Sequence, residues 1–225
     1  MGLHGRLRYA FSPGIIDMRA RSGPASFTFP DVSFFDVSLP DPPPEPIVER
    51  PVWSGPPRGV LPGYSAQKAV VFKRDDTLLV VHRFLVYQTG VEFSLTLVLR
   101  DSSYEMEDIP WELRGHPGRR RRDDSLPDEF LRFGMLFSDG TKWTNLDWRY
   151  PSHDEEPSRP VVSGRGGGGG GDEWEMSYWV WPLPPEGDMT FVASWPIRKI
   201  PEQRAAVDAS ELRARAEDAE IVWED

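Results

Sequence analysis

Between Val91 and Leu99 the chain alternates: Val91, Phe93, Leu95, Leu97 and Leu99 are interleaved with Glu92, Ser94, Thr96 and Val98, with Arg100 beyond. A period of two with β-branched and aromatic content predicts a half-buried antiparallel strand. The same signal runs upstream. AVVF from Ala69 leads to a turn at Arg74–Asp76, Leu78–Tyr87 follows, and Gln88-Thr89-Gly90 turns the chain into Val91. A second hairpin is predicted where Leu131, Phe133, Met135 and Phe137 alternate with Arg132 and Gly134, because Asp139-Gly140 has the chemistry of a type I′ turn and Thr141–Leu146 returns. A third pairs Glu173–Trp181 with Met189–Trp195 through the connection PLPPEGD. After Pro201 the period changes. Ala205, Ala209, Leu212, Ala216 and Ala219 form a stripe at helical spacing, so a helix over about 201–219 is expected, with Pro201 at its first position. Its Ala-rich face is thin, which suits a cap on a sheet and makes it the first candidate to cover the third hairpin's second face.

The remaining segments lack such periodicity. Phe27–Leu39 holds short aromatic and β-branched runs compatible with one or two edge strands, Pro30 arguing against a central one. Pro40–Pro46, with further prolines at Pro51, Pro56, Pro57 and Pro62, reads as polyproline II or irregular coil laid over a surface, which Trp53, Val60 and Leu61 could pin down. Residues 101–128 form a polar insertion expected to be a mobile loop, and Ser152–Ser163 another, acidic one. The organisation is therefore an N-terminal arm over 1–50 and a single domain over 51–225. Strand–turn–strand order without intervening helices predicts a mainly β fold, an antiparallel β-sandwich of immunoglobulin or jelly-roll kind with at least six strands and a C-terminal helix.

Composition narrows the function. The 225 residues include no cysteine, which excludes disulfides, thiolate metal sites and cysteine nucleophiles and makes a reducing, cytoplasmic setting the expectation, with a cysteine-free secreted protein as the alternative. A net charge of −10 repels phosphate backbones and anionic lipids, so neither nucleic acid nor membrane is expected as a partner. No apolar run is long enough to span a bilayer, and the N-terminus has no signal-peptide pattern. The 23 Pro and 20 Gly disfavour long helices.

Candidate chemistry is sparse. His4, His82, His116 and His153 are scattered without metal-ligand spacing, and the acidic stretch His153–Glu156 lacks the form of a calcium loop, so no metal or cofactor is expected. No nucleophile elbow or Ser-x-x-Lys occurs. The run Gly166, Gly167, Gly168, Gly169, Gly170 and Gly171 could offer backbone amides to an anion, but no Lys-Ser or helix follows and Asp172 and Glu173 adjoin it; a flexible or close-packed loop is the expectation. Arg119, Arg120, Arg121 and Arg122 form a basic patch that Asp123 and Asp124 partly neutralise, expected to be solvated. The aromatic hairpin is the most informative feature. Trp174, Met176, Tyr178 and Val180 share one face; Glu175, Ser177, Trp179 and Trp181 share the other; Trp195 lies on the mate strand. Burial on both faces is the expectation. The alternative is an aromatic surface in which Tyr178, Trp179, Trp181 and Trp195 meet a ligand or partner.

The strings GPPRGVLPG, VYQTGVEFSLTLVLR, LRFGMLFSDGTK and GGGGGGDEWEMSYWVWPLPPEGDMTFVASWPIRKIPEQRAAVDA resemble a family of uncharacterised proteins of actinobacteria, the high-GC Gram-positive bacteria, over roughly residues 52–220. The resemblance implies a bacterial, cytoplasmic setting and carries over no site. Three functions follow as expectations. First is a non-catalytic interaction or structural module, with a protein partner or self-association. Second is a carbohydrate- or small-ligand-binding sandwich using exposed Trp. Third is a hydrolase with paired carboxylates.

Overall fold

The computed structural model describes residues 50–100, 128, 130–146, 156–170 and 172–223. The strands expected within 27–39, the polyproline segment 40–46, residues 101–127 with Arg119–Arg122, and Gly171 lie outside the described residues.

The alternating segments form strands. β2 (Gly63–Ser65) and β3 (Ala69–Lys73) pair with the two halves of one edge of β4 (Thr77–Val86). β4 pairs with β5 (Val91–Leu99), β5 with β9 (Glu173–Trp181), and β9 with β8 (Val161–Gly170), all antiparallel. A second antiparallel sheet has the order β11-β10-β6-β7, made of β6 (Arg132–Leu136), β7 (Lys142–Thr144), β10 (Asp188–Trp195) and β11 (Ile200–Asp208). A ribbon of β1 (Val60–Leu61) and β12 (Glu220–Ile221) and an α-helix, α1 (Ala209–Ala216), complete the described elements, with two short 3-10 turns. No described helix is long and apolar enough to cross a membrane. The fold is mainly β, as the alternation predicts.

The two sheets stack as a sandwich because each has one apolar face to remove from water. Leu79, Val81, Phe93, Leu95, Met176 and Tyr178 of the first sheet meet Phe133, Met135, Met189 and Phe191 of the second. Rings interdigitate across the gap: Phe93 and Phe191 are 5.2 Å apart edge to face, and Phe133 and Tyr178 are 5.8 Å apart. One side of the sandwich is closed. Gln67, between β2 and β3, donates from Nε2 to the Asp208 carbonyl (2.9 Å) and accepts from the Asp208 amide (2.8 Å), so a side-chain amide bridges the two sheets. α1 continues that closure with Ala209, Leu212 and Ala216 buried.

Three expectations need correction. β9 and β10 are not a hairpin. The PLPPEGD connection carries the chain from one sheet to the other, β9 pairing with β5 and β8 and β10 with β6 and β11. Both are amphipathic strands, and seven residues can span the gap between layers as readily as turn within one. The helix is shorter than 201–219. Ile200–Asp208 is strand β11, because it pairs with the exposed edge of β10 while Ala205 and Val207 point inward. Pro201 falls where the β10–β11 register shifts, a position where a missing N–H is tolerated. Asp208 then caps α1 by accepting from the Ser210 amide at 2.8 Å. The glycine run is not a loop either: Gly166–Gly170 lie within β8, which starts at Val161 inside the expected acidic loop.

Candidate functional site

The face of the first sheet that points away from the sandwich core carries polar side chains that cross-strand pairing brings together. Ser94 pairs with His82 on one side and Ser177 on the other, and Thr96 pairs with Glu175. Ser94 and Thr96 each donate to Glu175, at 3.3 Å. Thr96 Oγ1 lies 2.8 Å from His82 Nε2, and because the Thr96 hydroxyl gives its proton to Glu175, the ring nitrogen is assigned as the donor. Burial lowers the His82 pKa, and the Arg83 guanidinium lowers it further, against the opposing pull of Glu175 and Glu173. Arg83 reaches the group from a β-bulge. Between His82 and Leu85 the β4–β5 register slips, and Arg83 adopts a left-handed φ of 56°. Its Nη1 donates to both carboxylate oxygens of Glu175.

Further along the same face lies an aromatic cluster of Tyr87, Val161, Trp179 and Trp181, with Trp53, Val60 and Leu85 packed on it. Segment 51–60 therefore straps this end of the face, as Trp53 and Val60 were expected to do, while Leu61 stays exposed. Trp53 sits 5.9 Å from Trp181, and Tyr87 meets Trp179 edge to face at 5.7 Å. The strap and not the C-terminal helix covers the second face of β9. Trp179 is fully buried, yet among the described residues its indole N–H has no hydrogen-bond partner, and neither has the buried hydroxyl of Ser163, its cross-strand neighbour. Glu92 borders the cluster, its pKa raised by burial and moderated by Arg165, whose Nε is 3.9 Å away. Burial also raises the pKa of Tyr87.

β8 borders both groups. It is the last strand of its sheet and pairs, among the described residues, only with β9. Gly164–Gly170 are all exposed. A Cβ added at Gly168 or Gly170 would meet nothing within 4 Å. At Gly167 it would fall 2.6 Å from the Glu175 carbonyl oxygen, and at Gly169 2.7 Å from Trp174 Cα. One alternate set of glycines thus faces open space and the other lies against the backbone of β9, leaving no room for a side chain. Glycine is required on the second set by close approach.

The aromatic residues singled out in the sequence do not form a surface. Tyr178 and Trp195 belong to the sandwich core, with Trp195 under the Arg198 guanidinium at 5.0 Å, and Trp179 and Trp181 lie beneath the strap. Their indole and phenol rings are worth more removed from water than left in it. Sequence reasoning missed the group of His82, Arg83, Thr96 and Glu175. The polar set of β5 was visible, but its partners depend on a register and a bulge that no local pattern shows. No family model matches the chain, and no curated protein or solved structure matches it.

Proposed function

We propose that this chain is a non-catalytic interaction module that receives an extended polypeptide strand along the free edge of β8. One observation carries the reading: a ten-residue edge strand whose outer backbone groups are open among the described residues and whose exposed stretch is almost bare of side chains. Free edges invite pairing, and proteins usually guard them with short strands, charges or proline. The other edges here are guarded. β7 has three residues including Lys142, β11 carries Pro201, Glu202 and Arg204, and the edge formed by β2 and β3 is interrupted between them and ends on Lys73. β8 has one charged residue, Arg165. Strand addition draws its affinity from main-chain hydrogen bonds, and a cysteine-free, acidic chain suits that role in the cytoplasm. Selection from a display library of extended peptides tests it. Bound peptides should slow amide exchange at alternate residues of Gly164–Gly170, since half of the amides point to the free edge. Binders that protect other segments, or an absence of binders, would refute it.

A second reading, a small ligand bearing a hydrogen-bond acceptor, is favoured by Ser163 and Trp179, whose unpartnered polar atoms lie in the aromatic cluster under the strap. Buried polar groups generally have partners. A ligand panel read by Trp emission should quench the wild type and leave Trp179→Phe unresponsive; an equal response of both proteins would eliminate this site.

A further inference from the structure

The edge of β8 is self-complementary. Arg165 stands near the start of the exposed stretch, and Glu173, the first residue of β9, pairs with Gly170 at its end. Both side chains belong to the outward face of the sheet. Arg165 reaches Glu92 there, and Glu173 has the same parity along β9 as Glu175. Glu173 is exposed, whereas Glu175 is held by Arg83.

We propose that β8 pairs antiparallel with β8 of a second copy of this chain, making one continuous sheet about a two-fold axis at Gly168, which faces its own counterpart. The proposal rests on the reading of β8 as a binding edge and names its occupant. The axis stands perpendicular to the sheet, so the outward faces of both copies lie on the same side. In this register Gly166 faces Gly170 of the second copy, and Arg165, beside Gly166 where the β8–β9 register shifts, carries its side chain on the same outward face. Turned away from Glu92 and from Gly55 of the strap, the guanidinium can pass over Gly170, which has no side chain, to Glu173 on the next strand. Two strand spacings, about 10 Å between backbones, match the combined reach of an Arg and a Glu side chain. Two-fold symmetry makes the ion pair twice, once at each end of the junction.

The paired strands present almost no side chains to one another, so nothing obstructs their backbones. Cross-strand side-chain pairs cannot set the register of such strands; the two end charges do so instead. Both copies carry a net charge of −10, which opposes approach at low ionic strength. Moderate salt relieves that repulsion, while the two ion pairs, in contact, are screened less.

Sedimentation equilibrium of the full chain over a range of concentration tests this. A dimer is expected, with amide exchange in Gly164–Gly170 slowing as it forms. Arg165→Glu and Glu173→Arg should each raise the dissociation constant by about tenfold or more, since every junction loses two pairs and gains two repulsions. The double reversal should recover most of the wild-type affinity. Gly168→Glu, at a position with open space around it, sets two carboxylates beside the axis and should also separate the copies. Near-UV circular dichroism of each variant distinguishes lost pairing from lost fold. A dimer indifferent to all three substitutions overturns the proposal. So does a monomer at every concentration; if selected peptides still protect β8 the edge reading survives without self-pairing, and if none do both fall.

Discussion

Arg83 places one guanidinium nitrogen 2.9 Å from both carboxylate oxygens of Glu175, reaching from a bulge in β4 across β5 to β9. Two effects oppose each other at this residue. The left-handed backbone of a non-glycine residue costs about 1–2 kcal/mol, and an ion pair with a largely exposed partner returns at most about 1 kcal/mol. Arg83→Ala keeps the strain and loses the pair, so it should destabilise by less than about 1 kcal/mol, with the loss shrinking as salt rises. Arg83→Gly loses the pair and relieves the strain. It should be more stable than Arg83→Ala by about 1 kcal/mol, the reverse of the usual order within a strand. Urea unfolding of both variants checks the sign.

His82 links this face to pH. Its pKa is lowered by burial first and by Arg83 second, with Glu175 and Glu173 opposing. The unfolded chain therefore takes up a proton at higher pH than the folded one. The stability contributed by neutral His82 is complete above its unfolded value of about 6.5 and is lost as pH falls through the lower folded value. His82→Gln should flatten the stability profile in that window. In an NMR titration, Arg83→Ala should move the His82 midpoint up and Glu175→Gln should move it down. Equal midpoints in all three proteins would contradict the arrangement described.

How far the sequence reached can be followed through particular residues. Period two was legible in β3, β4, β5 and β6, which stand where the pattern puts them, although β5 is not half-buried as expected: Ser94 and Thr96 on its outer face are buried between β4 and β9. It was silent on pairing. Glu173–Trp181 and Asp188–Trp195 have the same signature whether they pair with each other or lie in opposite sheets, and the choice falls to long-range contacts such as Phe93 on Phe191. Local propensity misled at Pro201–Asp208, where an Ala-containing, helix-compatible stretch was recruited by the exposed edge of β10. The glycine run misled for a related reason. Without side chains it has no periodicity, and what makes it a strand is the edge of β9.

Burial beneath the strap makes Trp179 a packing residue with a measurable counterpart in Gly90. A Cβ at Gly90 would lie 2.7 Å from Trp179 Cη2 and Cζ2 and would also collide with the Val180 carbonyl oxygen. Gly90→Ala should cost about 1–3 kcal/mol through overpacking. Trp179→Ala should cost about 3–5 kcal/mol through the cavity it leaves. Trp179→Phe should cost much less, because the indole N–H it removes makes no hydrogen bond among the described residues. The double variant Gly90→Ala, Trp179→Phe should lose less stability than the sum of its parts, since the smaller ring gives up the volume the methyl needs. Thermal unfolding of the four proteins measures that coupling.

The alternation within β8 offers the sharpest contrast between a glycine strand and a glycine loop. At Gly168 and Gly170 a methyl group enters open space, and reducing the freedom of the unfolded chain should leave the protein unchanged or more stable by about 0.4–1 kcal/mol. At Gly167 the same methyl would meet the Glu175 carbonyl oxygen at 2.6 Å, and at Gly169 it would press on the Glu173 carbonyl and on Trp174 Cα. Those two alanines should cost about 1–3 kcal/mol, because the atoms in the way are backbone and cannot step aside. Chemical denaturation of the four single variants should therefore alternate in sign or size along consecutive positions. A solvated loop would give four similar values, because none of its positions would be held against a neighbouring strand. Only pairing with β9 imposes a period of two on a sequence that has none of its own.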